Sequence, residues 1–81
     1  MKVKIFNGAK TVKLNDALVK TYTEATGVPV DAKGVEYALA CDGIKADTEL
    51  DEATLSDKVT KSLQMDIDVA KDVAEGKVGP A

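Results

Sequence analysis

Histidine, tryptophan and arginine are absent from the 81-residue chain, and cysteine occurs once. Without histidine, the commonest general acid–base group near neutral pH and the commonest metal ligand are both missing. Without arginine, all eleven basic residues are lysine, and the side chain best shaped for bidentate contact with guanine or phosphate is missing too. The single cysteine, Cys41, has no partner for an internal disulfide, which suits a reducing compartment. No apolar run approaches the length of a membrane helix, and the first residues hold no hydrophobic stretch of signal-peptide length. These absences predict a soluble, non-exported protein with no membrane partner, either cytoplasmic or incorporated into a virion or other assembly.

What is present bounds the chain to one small domain with a single thin core. Fourteen acidic residues give a net charge of -3, the opposite of the concentrated positive charge that phosphate-backbone binders carry. Two segments alternate apolar and polar residues with the period of a half-buried strand: Met1-Lys2-Val3-Lys4-Ile5, and Leu63-Gln64-Met65-Asp66-Ile67-Asp68-Val69. Side by side, they would merge their apolar faces, and the outward lysines of one would meet the outward aspartates of the other.

Between these ends the pattern changes several times. Asn7-Gly8 lies between the first alternating run and Lys10-Thr11-Val12-Lys13-Leu14, a hairpin signal because both central residues of a type I′ turn need positive φ. That register sets Val3 against Val12 and Lys2 against Lys13. Asn15 offers a helix N-cap, Leu18, Tyr22 and Ala25 follow at helical spacing, and Gly27 with Pro29 ends the helix. The run Val35 to Cys41 alternates again, and Asp42-Gly43 marks a second tight turn into a short strand, Ile44-Lys45-Ala46. Asp47 to Ser56 reads as a loop with one helical turn. The alternating segment at Leu63–Val69 supplies the last strand, and after Ala70 periodicity stops, which predicts a flexible tail over 71–81.

This order of elements, together with Tyr37-Ala38-Leu39-Ala40-Cys41-Asp42-Gly43-Ile44, Leu50, Leu55-Ser56-Asp57 and Leu63-Gln64-Met65-Asp66-Ile67, resembles the ubiquitin-like β-grasp. The resemblance covers about Met1 to Ala70 at the level of pattern. It implies an α+β domain over 1–70, a mixed four- to five-stranded sheet packed on one helix, with the last strand parallel to the first. Conjugated members of that family and the related sulfur carriers act through an exposed C-terminal diglycine. Here the chain reads Gly76-Lys77-Val78-Gly79-Pro80-Ala81, a departure that leaves modifier or carrier chemistry as an alternative rather than the main reading.

Other constellations are weaker. An EF-hand loop beginning at Asp47 would need glycine at its sixth position and glutamate at its twelfth, where the chain has Glu52 and Lys58. Cys41 has no histidine to activate it, and its place on the apolar side of a strand predicts a buried small hydrophobe. No catalytic residue, cofactor site or metal site emerges. The outer sheet face would present Lys2, Lys4, Phe6 and Lys13 with Asp66 and Asp68 beside them. An aromatic among mixed charges is the composition of a protein contact patch, and the same basic face with one aromatic is the second alternative, a single-stranded nucleic-acid binder. The sequence thus predicts a non-enzymatic protein-binding or assembly module whose partner is another protein or further copies of itself, including a structural accessory of a larger particle such as a phage virion.

Overall fold

A computed structural model describes residues 1–76. The chain begins as expected. Strands β1 (Lys2–Ile5) and β2 (Lys10–Lys13) pair antiparallel with Val3 opposite Val12 and Lys2 opposite Lys13. The turn between them holds three consecutive residues at positive φ, Phe6 at 54°, Asn7 at 59° and Gly8 at 82°. The N–H groups of Gly8 and Ala9 donate to the carbonyls of Ile5 and Phe6. Positive φ suits Asn and Gly but is strained for phenylalanine. Phe6 is held there by its partial burial against the core and by an N–H bond to the Glu36 carboxylate.

Helix α1 (Asp16–Thr26) also forms where its signals lie. Asn15 caps it through its side-chain oxygen, and Gly27, at φ 75°, closes it by donating its N–H to the Thr23 carbonyl.

Beyond Gly27 the β-grasp expectation fails. The described residues contain two strands, one antiparallel hairpin, and three helices, not a four- to five-stranded sheet packed on one helix. The segment read as a strand at Val35–Cys41 is helix α2 (Ala32–Cys41), and the segment read as the last strand lies inside helix α3 (Glu52–Ala74), 23 residues long. Ile44-Lys45-Ala46 is not a strand either. Asp66 and Asp68 consequently never lie beside Lys2 and Lys4 in a sheet, and the charge pairing expected of the two chain ends does not exist. The domain boundary expected at Ala70 falls inside α3, which continues through Ala74. The rest of the expected tail, 77–81, lies outside the described residues.

Local chemistry explains the helices. Asp31 caps α2 by accepting from the Gly34 N–H at 2.8 Å, and alanines at 32, 38 and 40 supply strong helix formers. Asp42-Gly43 is a helix stop rather than a hairpin turn. Gly43, at φ 80°, donates to the Ala40 carbonyl and Ile44 donates to the Leu39 carbonyl, the bond pair of a Schellman motif, with Ile44 and Leu39 both buried. Asp51 caps α3 through Thr54, and Glu52 sits in its first turn, so two carboxylates of the acidic loop serve the helix start. No glycine or proline interrupts the chain between Gly43 and Gly76.

The core is wholly apolar. Leu55, Val59, Leu63 and Ile67 run along α3 at intervals of four and are buried; β2, α1 and α2 all pack on this helix, while β1 packs on α2. Val3, Ile5, Val12, Leu14, Val35, Leu39 and Ile44 complete the interior, and no polar side chain is buried among the described residues. No helix among them is long and apolar enough to cross a membrane.

Two outcomes follow for stability. Ile67→Ala removes a side chain with no exposed surface and is expected to cost about 2 to 5 kcal/mol by chemical denaturation. The Asp51 carboxyl is held below its ordinary value by its hydrogen bonds with Thr54. A depressed folded-state pKa stabilises above the unfolded value and is lost as pH falls through the folded one. The melting temperature is therefore expected to drop below about pH 4, and Asp51→Asn is expected to flatten that drop; an unchanged acid limb would contradict the cap's ionic contribution.

Candidate docking groove between the helices

The residues expected to form a contact patch are split between two surfaces. Lys2 and Lys4 alternate with buried Val3 and Ile5 on β1, and Lys13 stands opposite Lys2 on β2, all three lysines exposed. The Lys13 backbone N–H donates to the Ser56 hydroxyl at 2.8 Å. Phe6 is not on this face; it sits in the turn, half-buried against the core. Asp66 and Asp68 are exposed on α3, and Asp68 accepts from the Gln64 side chain at 3.1 Å. The outer face of the hairpin thus gathers Lys2, Lys4 and Lys13 with no aromatic among them, and the aspartates belong elsewhere.

The other surface arises from how alternating sequence behaves in a helix. Residues two apart in a helix lie about 200° round the axis from each other, so an apolar–polar–apolar run cannot point one way. In α3, Leu63 and Ile67 turn to the core, while Met65 and Val69, followed by Val73, make a second stripe at intervals of four that points outward. Met65 is 67% exposed, Val69 55% and Val73 57%. The same division occurs in α2, where Val35 and Leu39 are buried, and Tyr37, 73% exposed, shares the outer face with Cys41. Cys41 is therefore exposed and not the buried hydrophobe that a strand would have made it.

The two leftover stripes meet. Tyr37, Ala38 and Cys41 of α2, Met65 and Asp66 of α3, and Tyr22 of α1 border a groove of about 370 Å³. Burial pushes the Tyr22 phenol above its ordinary value, and the negative charges of Asp66 and Asp31 push it further, against the opposing effect of its hydrogen bond with Thr26. At the α3 N-terminal end the groove's neighbours are lysines already engaged: Lys58 pairs with Asp42 at 3.5 Å and Lys61 with Asp57 at 3.1 Å. A larger hollow, about 490 Å³, lies between Lys10 and the loop 46–51. Its lysine is bound to the Thr48 carbonyl and its rim is acidic loop, so it offers no comparable apolar surface.

The groove holds one thiol, two phenols, a hydroxyl and a carboxylate, and among the described residues no three His, Cys, Asp or Glu side chains cluster as metal ligands. Sequence reasoning missed this site because it assigned Tyr37, Cys41, Met65 and Val69 to the interior of a sheet. The signal that finds it is the unbroken spacing of Leu55, Val59, Leu63 and Ile67, which fixes the helical period and leaves the intervening apolar residues unburied. Comparison of the chain with protein-family models, with curated proteins and with solved structures gives no match.

The charge arrangement has a spectroscopic consequence. Tyr22 is expected to ionise above the ordinary tyrosine value of 10.0, and Asp66→Asn to bring that transition down, as read by the NMR titration of its ring. No movement on Asp66→Asn would show that the carboxylate's field does not reach the groove.

Proposed function

We propose that the chain is a protein-recognition module, without catalytic chemistry of its own, that docks a partner polypeptide on the helical groove rather than on the hairpin. One observation carries the reading: Tyr37 and Cys41 from the outward stripe of α2 and Met65 from that of α3 line one groove, and Val69 continues the exposed α3 stripe one turn beyond Met65. Single exposed apolar residues are ordinary. Four on two adjoining helices, an aromatic and a methionine among them, form a surface whose burial would stabilise a complex. Aromatic anchors and methionine are enriched at interface centres, and methionine adapts its shape to different partners.

The hairpin supports this role less well. Its lysines are separate point charges without an aromatic to stack on a base, which also weakens the single-stranded nucleic-acid reading. The modifier and sulfur-carrier reading rested on β-grasp likeness, and the described residues do not have that sheet. An accessory role in a larger particle is compatible with the groove, since assembly needs a compact fold and one complementary face.

The test is capture from extract of the native source on three immobilised forms: the unaltered chain, Tyr37→Ser/Met65→Ser, and Lys2→Gln/Lys4→Gln/Lys13→Gln. The same protein is expected on the first and third. On the second its retention should fall by roughly thirtyfold, the equivalent of about 2 kcal/mol at a hot spot. Loss confined to the lysine variant would move the docking surface to the hairpin, and equal retention on all three would overturn the proposal.

A further inference from the structure

We infer that the polypeptide docking on this groove is a basic amphipathic helix, an inference that rests on the docking reading above and names its partner's chemistry. The outward stripe of α3 is bounded by carboxylates on both sides. Asp68 and Asp72 each precede a stripe valine by one position and so lie along one flank, while Asp66 follows Met65 by one and lies along the other. All three carry negative charge that no lysine cancels: neither Asp66 nor Asp72 has an ion-pair partner among the described residues, and Asp68 is bonded only by the neutral Gln64 amide. Lys71, three positions after Asp68, makes no ion pair with it, and Lys58 and Lys61 are paired with Asp42 and Asp57. At the groove's α1 side, burial raises the Tyr22 phenol first of all, and the charge of Asp66 adds to it.

An apolar stripe at intervals of four with two carboxylates along one flank and one on the other has a specific complement. It is a helix whose apolar side chains repeat at three and four residues and whose flanks are lysine or arginine, laid along the stripe from the groove at Met65 toward Val73 so that apolar faces merge and opposite charges face each other. From Met65 to Val73 the stripe runs for about 12 Å at 1.5 Å per residue, which matches slightly more than two turns of such a helix. A second copy of this chain is the wrong occupant. It would bring two aspartate-lined stripes together on molecules that each carry a net charge of -3, and like charges across an interface are repulsive.

The experiment is an amide-resolved NMR titration of the intact chain with three synthetic peptides of about eighteen residues, roughly five turns each. One alternates leucine and lysine at helical spacing, the second replaces every lysine with glutamate, and the third scrambles the first so that its apolar residues no longer share a face. The leucine–lysine helix is expected to shift the amides around Tyr37, Met65, Val69 and Val73. Its affinity should fall by about tenfold in Asp66→Asn/Asp68→Asn/Asp72→Asn and fall with added salt, as exposed charges are screened. Asp66 and Asp68 are exposed and Asp72 is half-buried, with none of the three ion-paired among the described residues, so the variant's melting curve should stay close to that of the unaltered chain, which separates lost binding from lost folding.

Equal or tighter binding of the leucine–glutamate helix would overturn the basic partner while leaving the docking groove intact. Equal binding of the scramble, with shifts spread over all acidic residues, would reduce the effect to charge alone and overturn the helix. Concentration-dependent dimerisation that shifts the same amides without peptide would make the groove a self-interface and also overturn the proposal. Failure of the groove itself is read separately, in the capture by Tyr37→Ser/Met65→Ser.

Discussion

Everything else in the molecule depends on the burial of one row of side chains, Leu55, Val59, Leu63 and Ile67, along α3. An interval of four residues falls 40° past a full turn, so the row winds slowly round the helix and meets different neighbours along its length. The hairpin strand β2, helix α1 and helix α2 each cover part of it, and together they close a core from which polar side chains are excluded. A chain this short has little apolar area to spare, and a helix of 23 residues is long enough to reach β2, α1 and α2 at once.

The winding row also explains the exposed surface. A chain segment that alternates apolar and polar residues satisfies a strand completely, because one face takes every apolar side chain. In a helix the same segment is over-supplied: the core accepts one apolar row and the second must point elsewhere. Met65, Val69 and Val73 on α3 and Tyr37 and Cys41 on α2 are that second row. The meeting of Tyr37, Cys41 and Met65 at one groove joins a fact about periodicity to a hypothesis about recognition, and the aspartates beside the α3 stripe give the surface its sign.

Legibility in the sequence followed the range of the determining interaction. The hairpin and α1 were readable because their causes are local: Asn7-Gly8 at positive φ, Asn15 as a cap, Gly27 as a stop. Asp42-Gly43 was read at the right place with the wrong meaning, since a glycine at positive φ serves a Schellman stop as readily as a hairpin, and the two differ in whether Ile44 returns to Leu39. The states of Val35–Cys41 and Leu63–Val69 were not readable from alternation. Both runs fit a strand over seven residues, and helix is favoured chiefly by features outside the window, the caps Asp31 and Asp51 and the row that begins at Leu55, with Ala38 and Ala40 adding to it from within. The candidate site was hidden for the same reason. Asp66 was singled out and does border the groove, but beside Met65 and Tyr22 rather than beside the lysines of β1.

The central claim is that the apolar residues of Leu63–Val69 point two ways from a helix. Carbon-13 chemical shifts with methyl-resolved NMR in the presence of a soluble paramagnetic agent test it directly. Helical shifts across the segment are expected, with the Met65 and Val69 methyl signals bleached and those of Leu63 and Ile67 preserved. Extended-chain shifts with all four side chains equally protected would contradict the account.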